Sequence, residues 1–137
     1  MNGVVSQGYN PNIDIDLAFG VKNENELADI LQNAKIEVKT EREIWVDTDN
    51  IVIETRYKGE PSGISTTTAD YWAHILSYRG NIKSIIMFPV KDLKRRIKTL
   101  LRNGKAKIKN GGDNNESQLV IIPLTELLTE AYKGEQI

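Results

Sequence analysis

The architecture depends first on residues 35–57, KIEVKTEREIWVDTDNIVIETRY. Apolar and charged residues alternate in residues 35–41, and this period of two predicts a strand with Glu37 and Lys39 on one face, ~7 Å apart. The β-branched residues of IVIETRY, residues 51–57, predict a second strand after a polar turn. Two strands that carry carboxylates are therefore the first structural expectation for this chain.

The rest of the chain extends this pattern and predicts an α+β or α/β fold, with a central mixed sheet flanked by helices. Residues 1–137 are expected to form a single domain, in which residues 1–12 are a loose N-terminal arm because they contain Gly, Asn, Ser and Pro without a period. The other predicted elements are a first helix from about Asn23 to Gln32, strands at Asp70–Ser77 and Ile82–Val90, a second helix from Lys91 to about Arg102, strands at Ala106–Lys109 and Gln118–Ile122, and a short helix from about Thr125 to Tyr132.

The composition excludes several classes of protein. The chain has 137 residues, 39% hydrophobic and 27% charged, which is typical of a globular domain. It has no cysteine and a single histidine, His74, so disulfides, Cys-ligated zinc and HExxH sites are excluded. No apolar run approaches the ~20 residues of a membrane helix, and residues 1–10 lack a signal-peptide pattern. We therefore expect a soluble, cytoplasmic protein without a membrane partner.

The charge is distributed unevenly along the chain. Residues 1–60 carry six basic and twelve acidic side chains, whereas residues 91–109, KDLKRRIKTLLRNGKAKIK, carry nine basic and one acidic. A basic block of this kind is either the solvated face of an amphipathic helix or a contact surface for a polyanion, since clustered Lys and Arg bind phosphates. Acidic clusters repel DNA unless a divalent metal neutralises them, so the combination favours a metal-dependent nuclease.

Carboxylates on neighbouring strands indicate a candidate metal site. If residues 35–41 and 51–57 pair as a hairpin, Glu54 reaches the face of Glu37 and Lys39, and the first helix brings Glu24 or Glu26 over one end. Two or three carboxylates suffice for a hard cation such as Mg²⁺ or Mn²⁺, which polarises a phosphodiester and lowers the pKa of a bound water. The alternative interpretation is an exposed hairpin whose Glu and Lys residues are simply solvated.

Several stretches resemble phage-type members of the PD-(D/E)XK nuclease superfamily. They are IEVKTERE, NIVIE, PSGISTTTADYW, IIMFPVKDLKRRI and GGDNN before LVIIPLTEL, and the similarity covers most of residues 16–128. The resemblance implies a restriction-endonuclease-like αβββαβ core. It also implies metal-dependent attack by water on a DNA backbone, in the cytoplasm of the host cell if a phage encodes the protein.

The resemblance assigns roles to individual residues. Glu37 and Lys39 match the (D/E)xK signature, Glu26 matches a glutamate on the first helix, and Glu54 supplies the other metal-binding carboxylate. The implied catalytic residues are thus Glu37, Lys39, Glu54 and Glu26, and the implied Mg²⁺ or Mn²⁺ ligands are Glu37, Glu54 and Glu26.

A second alignment with the family motif also remains open. In it, Asp47 or Asp49 is the aspartate of the motif, and Glu54-Thr55-Arg56 is an ExK with arginine for lysine. We prefer the first alignment, because arginine is permanently charged and does not exchange a proton.

The expected DNA contacts lie in the basic block: Lys91, Lys94, Arg95, Arg96, Lys98, Arg102, Lys105 and Lys107. Hydroxyls of the loop PSGISTTT, including Ser62 and Thr67, are further candidates for phosphate oxygens. No base-reading motif is visible, so recognition of DNA structure or ends is expected. Nucleases of this size often cut two strands as a homodimer. The alternatives are a non-catalytic DNA-binding module or a phage accessory protein.

Overall fold

The structure is a computed structural model that describes residues 11–129, with side chains from residue 15 onward. The chain divides into two compact units between Ala34 and Lys35, and each is described by itself. The elements are α1 (Pro11–Asn33), β1 (Ile36–Glu41), α2 (Ile44–Thr48), β2 (Asn50–Tyr57), β3 (Glu60–Pro61), β4 (Tyr71–Tyr78), β5 (Asn81–Pro89), α3 (Val90–Arg102), β6 (Lys107–Gly111), β7 (Ser117–Pro123) and α4 (Leu124–Leu128).

The first unit contains α1, which is longer than the sequence predicted. The helix begins at Pro11 instead of near Asn23, and proline suits a first helical turn because it lacks an N–H to satisfy. The side chain of Asn23 donates a hydrogen bond to the carbonyl oxygen of Phe19 at 3.0 Å, so Asn23 lies within the helix and is not its N-cap. Of the predicted N-terminal arm, residues 1–10 lie outside the described residues, and Pro11 and Asn12 are helical.

The second unit begins with a mixed sheet of three strands in the order β1-β4-β5. Strand β1 runs parallel to β4, so that Glu37 is opposite Trp72 and Lys39 is opposite His74. Strand β5 returns antiparallel to β4 through a turn at Arg79 and Gly80, both of which have positive φ. The mixed sheet that the sequence predicted is therefore present.

Strand β2 belongs to a second, antiparallel sheet in the order β3-β2-β7-β6. The hairpin considered for residues 35–41 and 51–57 does not form, and two sheets replace the single central sheet. The connection between β1 and β2 contains α2, whose Trp45 indole N–H donates to the carbonyl oxygen of Ser77 on β4 at 2.7 Å. A hairpin needs a loop of about two to five residues, whereas this helical connection takes the chain into the other sheet.

Both sheets and α3 contribute to one hydrophobic core. Its largest fully buried apolar residues are Trp72 on β4, Ile51 and Ile53 on β2, Val120 and Ile122 on β7, Leu93 and Leu100 on α3, and Leu127 on α4. On α3, Leu93, Ile97 and Leu100 recur at helical spacing, so this face packs inward while lysines occupy the opposite face.

Most predicted elements of this unit are confirmed to within one or two residues, and the α+β class is confirmed. The helix predicted from Lys91 to Arg102 begins one residue earlier, at Val90. The helix predicted from about Thr125 to Tyr132 spans Leu124–Leu128, and Tyr132 lies outside the described residues. Among residues 11–129, no helix is both long and apolar enough to cross a membrane.

Leu93 is fully buried between α3 and the sheets, which makes it a direct test of this core. Leu93→Ala should lower the free energy of unfolding by about 2–5 kcal/mol, because it removes apolar contacts and leaves a cavity. Urea denaturation followed by tryptophan fluorescence measures this loss. The matched control is Ile85→Ala on the exposed face of β5, where Ile85 is 56% exposed. An equal loss in both variants would contradict the core assignment.

Candidate functional site

Glu54 is held by two serine hydroxyls near the end of β2. Ser62 donates to its Oε2 and Ser117 donates to its Oε1, both at 2.7 Å. Ser62 comes from the loop that follows β3, and Ser117 is the buried first residue of β7. Hydroxyl donors orient a carboxylate without neutralising its charge, so Glu54 remains an anionic oxygen donor in a fixed position.

Gly63 allows the loop to lie directly on the backbone of Glu54. Its φ is +56°, and a Cβ at this position would lie 2.2 Å from the carbonyl oxygen of Glu54. Both the left-handed conformation and the close approach require glycine. The backbone N–H of Ser62 also bonds to the carbonyl oxygen of Thr55 at 3.0 Å, which fixes the start of this loop.

Glu37 and Lys39 lie next to the same loop. The Lys39 ammonium is 3.4 Å from Oε2 of Glu37, and the Thr67 hydroxyl donates to Oε1 of Glu37 at 3.1 Å. Lys39 and Glu54 line one small cavity of about 250 Å³, together with Trp72 and His74. The loop of residues 62–67 therefore contacts Glu54 at one end and Glu37 at the other, and Lys39 borders both carboxylates.

A buried hydrogen-bonded chain supports this cavity from behind. The Trp72 indole N–H donates to Nδ1 of His74 at 3.0 Å, and His74 Nε2 is 3.0 Å from Oε1 of Glu41. Because Nδ1 accepts a hydrogen bond, the ring proton is on Nε2 and is donated to Glu41. His74 is 1% exposed, so its ring is packed in the interior of the protein.

Glu26 lies on α1, in the first unit, where its carboxylate is 4.0 Å from the Lys22 ammonium and both side chains are exposed. Within the part of the chain that the structure describes, no group of three or more His, Asp or Glu residues is arranged to hold a metal ion. Of the site residues predicted from the sequence, Glu37 and Glu54 are contacted by one loop, and Lys39 and Glu54 line one cavity.

The residues of the alternative motif alignment have other contacts. Asp49 has a φ of +62°, and its carboxylate accepts a hydrogen bond from the Thr125 hydroxyl at 2.6 Å, at the start of α4. Asp47 is exposed on α2. Arg56 is also exposed, and its guanidinium donates to the carbonyl oxygen of Gly59 at 3.1 Å. Asp49 and Arg56 therefore stabilise local turns and helix ends.

The basic block divides into exposed and buried cations. Seven of its eight predicted DNA contacts are exposed or half-buried: Lys91, Lys94, Arg95, Lys98, Arg102, Lys105 and Lys107. Lys91 and Lys94 line a cavity of about 420 Å³ that also includes Thr67 and Thr68. Since Thr67 bonds to Glu37, the cations at the start of α3 and the carboxylate site border the same loop.

The prediction that Arg96 contacts DNA is wrong. Arg96 is 9% exposed, because its position on α3 lies on the inward face next to Leu93 and Ile97. Its guanidinium is 2.7 Å from the Asp92 carboxylate and lies 5.4 Å from the centre of the Phe88 ring. An arginine that is buried and paired in this way packs within the inward face of α3 and does not face a ligand.

Sequence reasoning missed two residues of the site, Glu41 and Ser117. Glu41 continues the alternation of Glu37 and Lys39, so its place on the same face was readable from the period of two. Ser117 carries no local signal, because it meets Glu54 only through the pairing of β2 with β7.

Comparison with known proteins identifies no relative of this chain. No protein-family model matches it, and neither a curated protein nor a solved structure matches it at a significant level. The functional interpretation therefore depends on the geometry of the site and on the motifs of the sequence.

The clash at Gly63 yields a prediction with an internal control. Gly63→Ala should destabilise the fold by about 1–3 kcal/mol more than Gly59→Ala, because both glycines have positive φ but only Gly63 faces a neighbouring atom. Thermal or urea unfolding of the two variants measures the difference. Equal stabilities would mean that the loop does not rest on Glu54.

The pKa of Tyr57 provides a test of the electrostatics at the end of β2. Its pKa is raised above 10.0, first by the negative charge of Glu116, then by partial desolvation and a hydrogen bond to Glu116, with smaller contributions from Asp113 and Glu54. The titration of this phenol is the difference between the absorbance titrations of the original protein and of Tyr57→Phe. Glu116→Gln should lower the midpoint of the Tyr57 titration towards 10.0. An unchanged midpoint would contradict the assignment.

The sign of the pH effect on stability follows from the raised pKa. The folded state binds the phenol proton more tightly than the unfolded state does. The stabilisation from Tyr57 is thus complete below an unfolded pKa of about 10 and is lost as the pH rises through the folded value.

Proposed function

We propose that this chain is a metal-dependent DNA endonuclease with a restriction-endonuclease-like fold, acting on DNA structures or ends in phage DNA processing. The observation that carries the proposal is the loop of residues 62–67. It binds the carboxylates of Glu54 and Glu37 with Ser62 and Thr67, and it shares a cavity with Lys91 and Lys94 on α3. Anionic oxygen donors, a lysine and phosphate-binding cations are thus gathered around one segment.

The donor set fits Mg²⁺ or Mn²⁺. These hard cations take oxygen ligands, and Mg²⁺ in particular keeps several waters and needs only one or two protein carboxylates beside the substrate phosphates. Glu37 and Glu54 provide two carboxylates, and the hydroxyl bonds from Thr67, Ser62 and Ser117 leave further lone pairs on their oxygens. Glu26 is a third donor in the proposal, carried over from the family motif.

Each residue has a role that follows from its chemistry. When bound, Mg²⁺ or Mn²⁺ would supply Lewis-acid chemistry, polarising the scissile phosphate and lowering the pKa of a water. Glu37 and Glu54 hold the cation, and the Lys39 ammonium, 3.4 Å from Glu37, orients the water or stabilises charge that develops on the phosphate. Lys91, Lys94 and Lys98 hold the DNA backbone, and their contacts carry no sequence information.

The contacts favour the first motif alignment over the second. The alternative aspartate Asp49 binds Thr125 at the start of α4, and Arg56 is turned towards Gly59 in an exposed position. In contrast, Lys39 borders the cavity that contains Glu54. The proposal therefore assigns the ExK motif to Glu37 and Lys39.

The proposal includes two further expectations. Cleavage of both strands of a duplex takes two active sites, which favours a homodimer. A nuclease that processes phage DNA works in the cytoplasm of the host cell, so we also propose that location.

DNA cleavage assays test the proposal directly. The purified chain is incubated with supercoiled, linear and four-way-junction DNA in Mg²⁺, Mn²⁺ or EDTA. Cleavage should require metal and should fall on the order of 10²-fold or more in Glu37→Gln and in Glu54→Gln, since each change removes several kcal/mol of transition-state stabilisation. Glutamine keeps the size of the side chain, so folding should be preserved, and circular dichroism checks this.

Glu60→Gln is the matched control, because Glu60 is an exposed glutamate on β3 outside the site, and it should cleave like the original chain. Intact DNA under every metal would overturn the nuclease. Salt-sensitive DNA binding without cleavage would then favour the second candidate, a non-catalytic DNA-binding module. One observation favours that candidate: the Lys39 ammonium lies 3.4 Å from Oε2 of Glu37 and pairs with its carboxylate. Neither cleavage nor binding would leave an accessory protein.

A further inference from the structure

A third cavity lies between α3 and the antiparallel sheet, on the side of β2 opposite to the Glu54 carboxylate. It measures about 370 Å³, and we call it the α3 cleft. Its apolar walls come from the loop after β3, from α3 and from strands β6 and β7: Ile64, Ile97, Leu101, Ile108 and Val120. Ligand sites in proteins are concave, mostly apolar and roughly 300–1,000 Å³ in volume, so the α3 cleft has the size of a site for one small group.

Polar groups line the α3 cleft in two sets. Thr55, Ser65 and Gln118 provide two hydroxyls and one side-chain amide, and Thr55 lies 3.1 Å from the amide oxygen of Gln118. An amide oxygen that accepts from Thr55 leaves the amide N–H groups of Gln118 as donors. The second set is Lys94 and Lys98, four residues apart on α3 and therefore on the same face of the helix.

We propose that the α3 cleft binds one unpaired nucleotide of a DNA strand. A base has flat apolar faces that fit aliphatic walls, and its edge carries donors and acceptors that match an amide and hydroxyls. The phosphates on either side of the base fit the ammonium groups of Lys94 and Lys98. A fatty acid would match the walls and the lysines, but its chain offers no acceptor for the amide N–H groups of Gln118, whose amide oxygen is already bonded to Thr55.

The position of the cleft connects it to the candidate site. Glu54 and Thr55 are consecutive on β2, and the first lines the carboxylate cavity while the second lines the α3 cleft. Lys94 borders both the α3 cleft and the cavity that contains Thr67. A strand whose unpaired base occupies the cleft would thus reach, through the cavity beside Thr67, the loop that binds the carboxylates. This inference rests on the proposed function, because the choice of DNA as the source of the nucleotide comes from it.

Binding of two DNA duplexes tests the inference without cleavage. Both contain a one-nucleotide bulge, which carries a base in one duplex and is abasic in the other, so the phosphates are the same. Fluorescence anisotropy in EDTA should show about tenfold tighter binding of the bulge with a base, because only that duplex buries the apolar faces of a base in the cleft. A free deoxynucleoside monophosphate should compete only weakly, because it lacks the flanking phosphates of a strand. Free nucleotide that binds as tightly as the bulged DNA would overturn DNA as the source.

Variants assign the effect to the cleft. Ile108→Ser and Gln118→Ala should abolish most of the preference for the base. Ile82→Ser is the control and should keep the preference. Ile82 and Ile108 are both exposed on strands, at 61% and 56%, but only Ile108 lines the cleft. Ser65→Trp, from the exposed rim, should block the cleft without disturbing the core. Lys94→Ala should weaken binding of both duplexes.

The outcomes separate this inference from the nuclease proposal. Metal-dependent cleavage with equal affinity for both bulges would overturn the base site and leave the nuclease. Base-dependent binding that Ile108→Ser abolishes, in a chain that cleaves no DNA, would support the base site and overturn the nuclease. Loss of the preference in Ile82→Ser as well as in Ile108→Ser would overturn the assignment to this cleft.

Discussion

The carboxylate of Glu41 links the two sheets, and the geometry of the candidate site depends on this link. Its Oε1 accepts a hydrogen bond from the backbone N–H of Val52 on β2 at 2.5 Å and from His74 on β4 at 3.0 Å. The side chain is only 14% exposed, so losing either donor would leave a nearly buried charge poorly satisfied, which is costly. Because Glu37 and Lys39 lie on the same face of β1 as Glu41, this link also turns them towards β2 and Glu54.

The loop after β3 then determines how the carboxylates are presented. Its second residue, Gly63, has no room for a Cβ beside the carbonyl oxygen of Glu54, and the hydroxyls of the loop bond to one carboxylate at each end. Hydroxyl bonds hold the carboxylates in place and leave them negative, whereas an arginine would have neutralised them. On the proposed function, this arrangement leaves carboxylate oxygens able to bind a metal cation. Among the described ion pairs, Lys39 is the one cation in contact with Glu37, and its side chain is half-exposed.

The parts of the fold that were predicted correctly are those that local patterns control. Helix α3 shows the spacing of Leu93, Ile97 and Leu100, and the strands show alternation or β-branched runs, so their ends were predicted closely. The pairing of strands was not predictable in this way. Strand β1 pairs in parallel with β4, about thirty-five residues later, and nothing in the alternation of Glu37 and Lys39 identifies that neighbour. The hairpin was the simplest pairing that the sequence offered, and α2 prevents it.

The candidate site, like the fold, was predictable only where a local sequence pattern determines it. Residues on one strand, such as Glu37 and Lys39, could be assigned to one face, but the partners of Glu54 come from 8 and 63 residues away and appear only in the folded chain. Arg96 illustrates the opposite error. A count of charges groups Arg96 with the DNA-binding cations. Its position on the helix, however, places it on the same face as Leu93 and Ile97. Asp92, four residues earlier, pairs with the arginine and allows it to be buried. Charge alone therefore overestimates a binding surface wherever an arginine lies in the apolar stripe of its helix.

On the proposed function, the uneven charge of the chain couples metal binding to DNA binding. The loop of residues 62–67 lies between the carboxylates and the lysines Lys91 and Lys94. Its Thr67 contacts Glu37 and also lines the cavity that contains both lysines. A phosphate drawn to these lysines approaches two anionic carboxylates, which oppose it until a cation neutralises them. Each ligand then raises the affinity for the other, as linkage requires. On this proposal, the repulsion between Glu37 and Glu54, which lie on strands of different sheets, is offset when metal and DNA bind together, which gives a physical reason for placing a basic helix beside an acidic site.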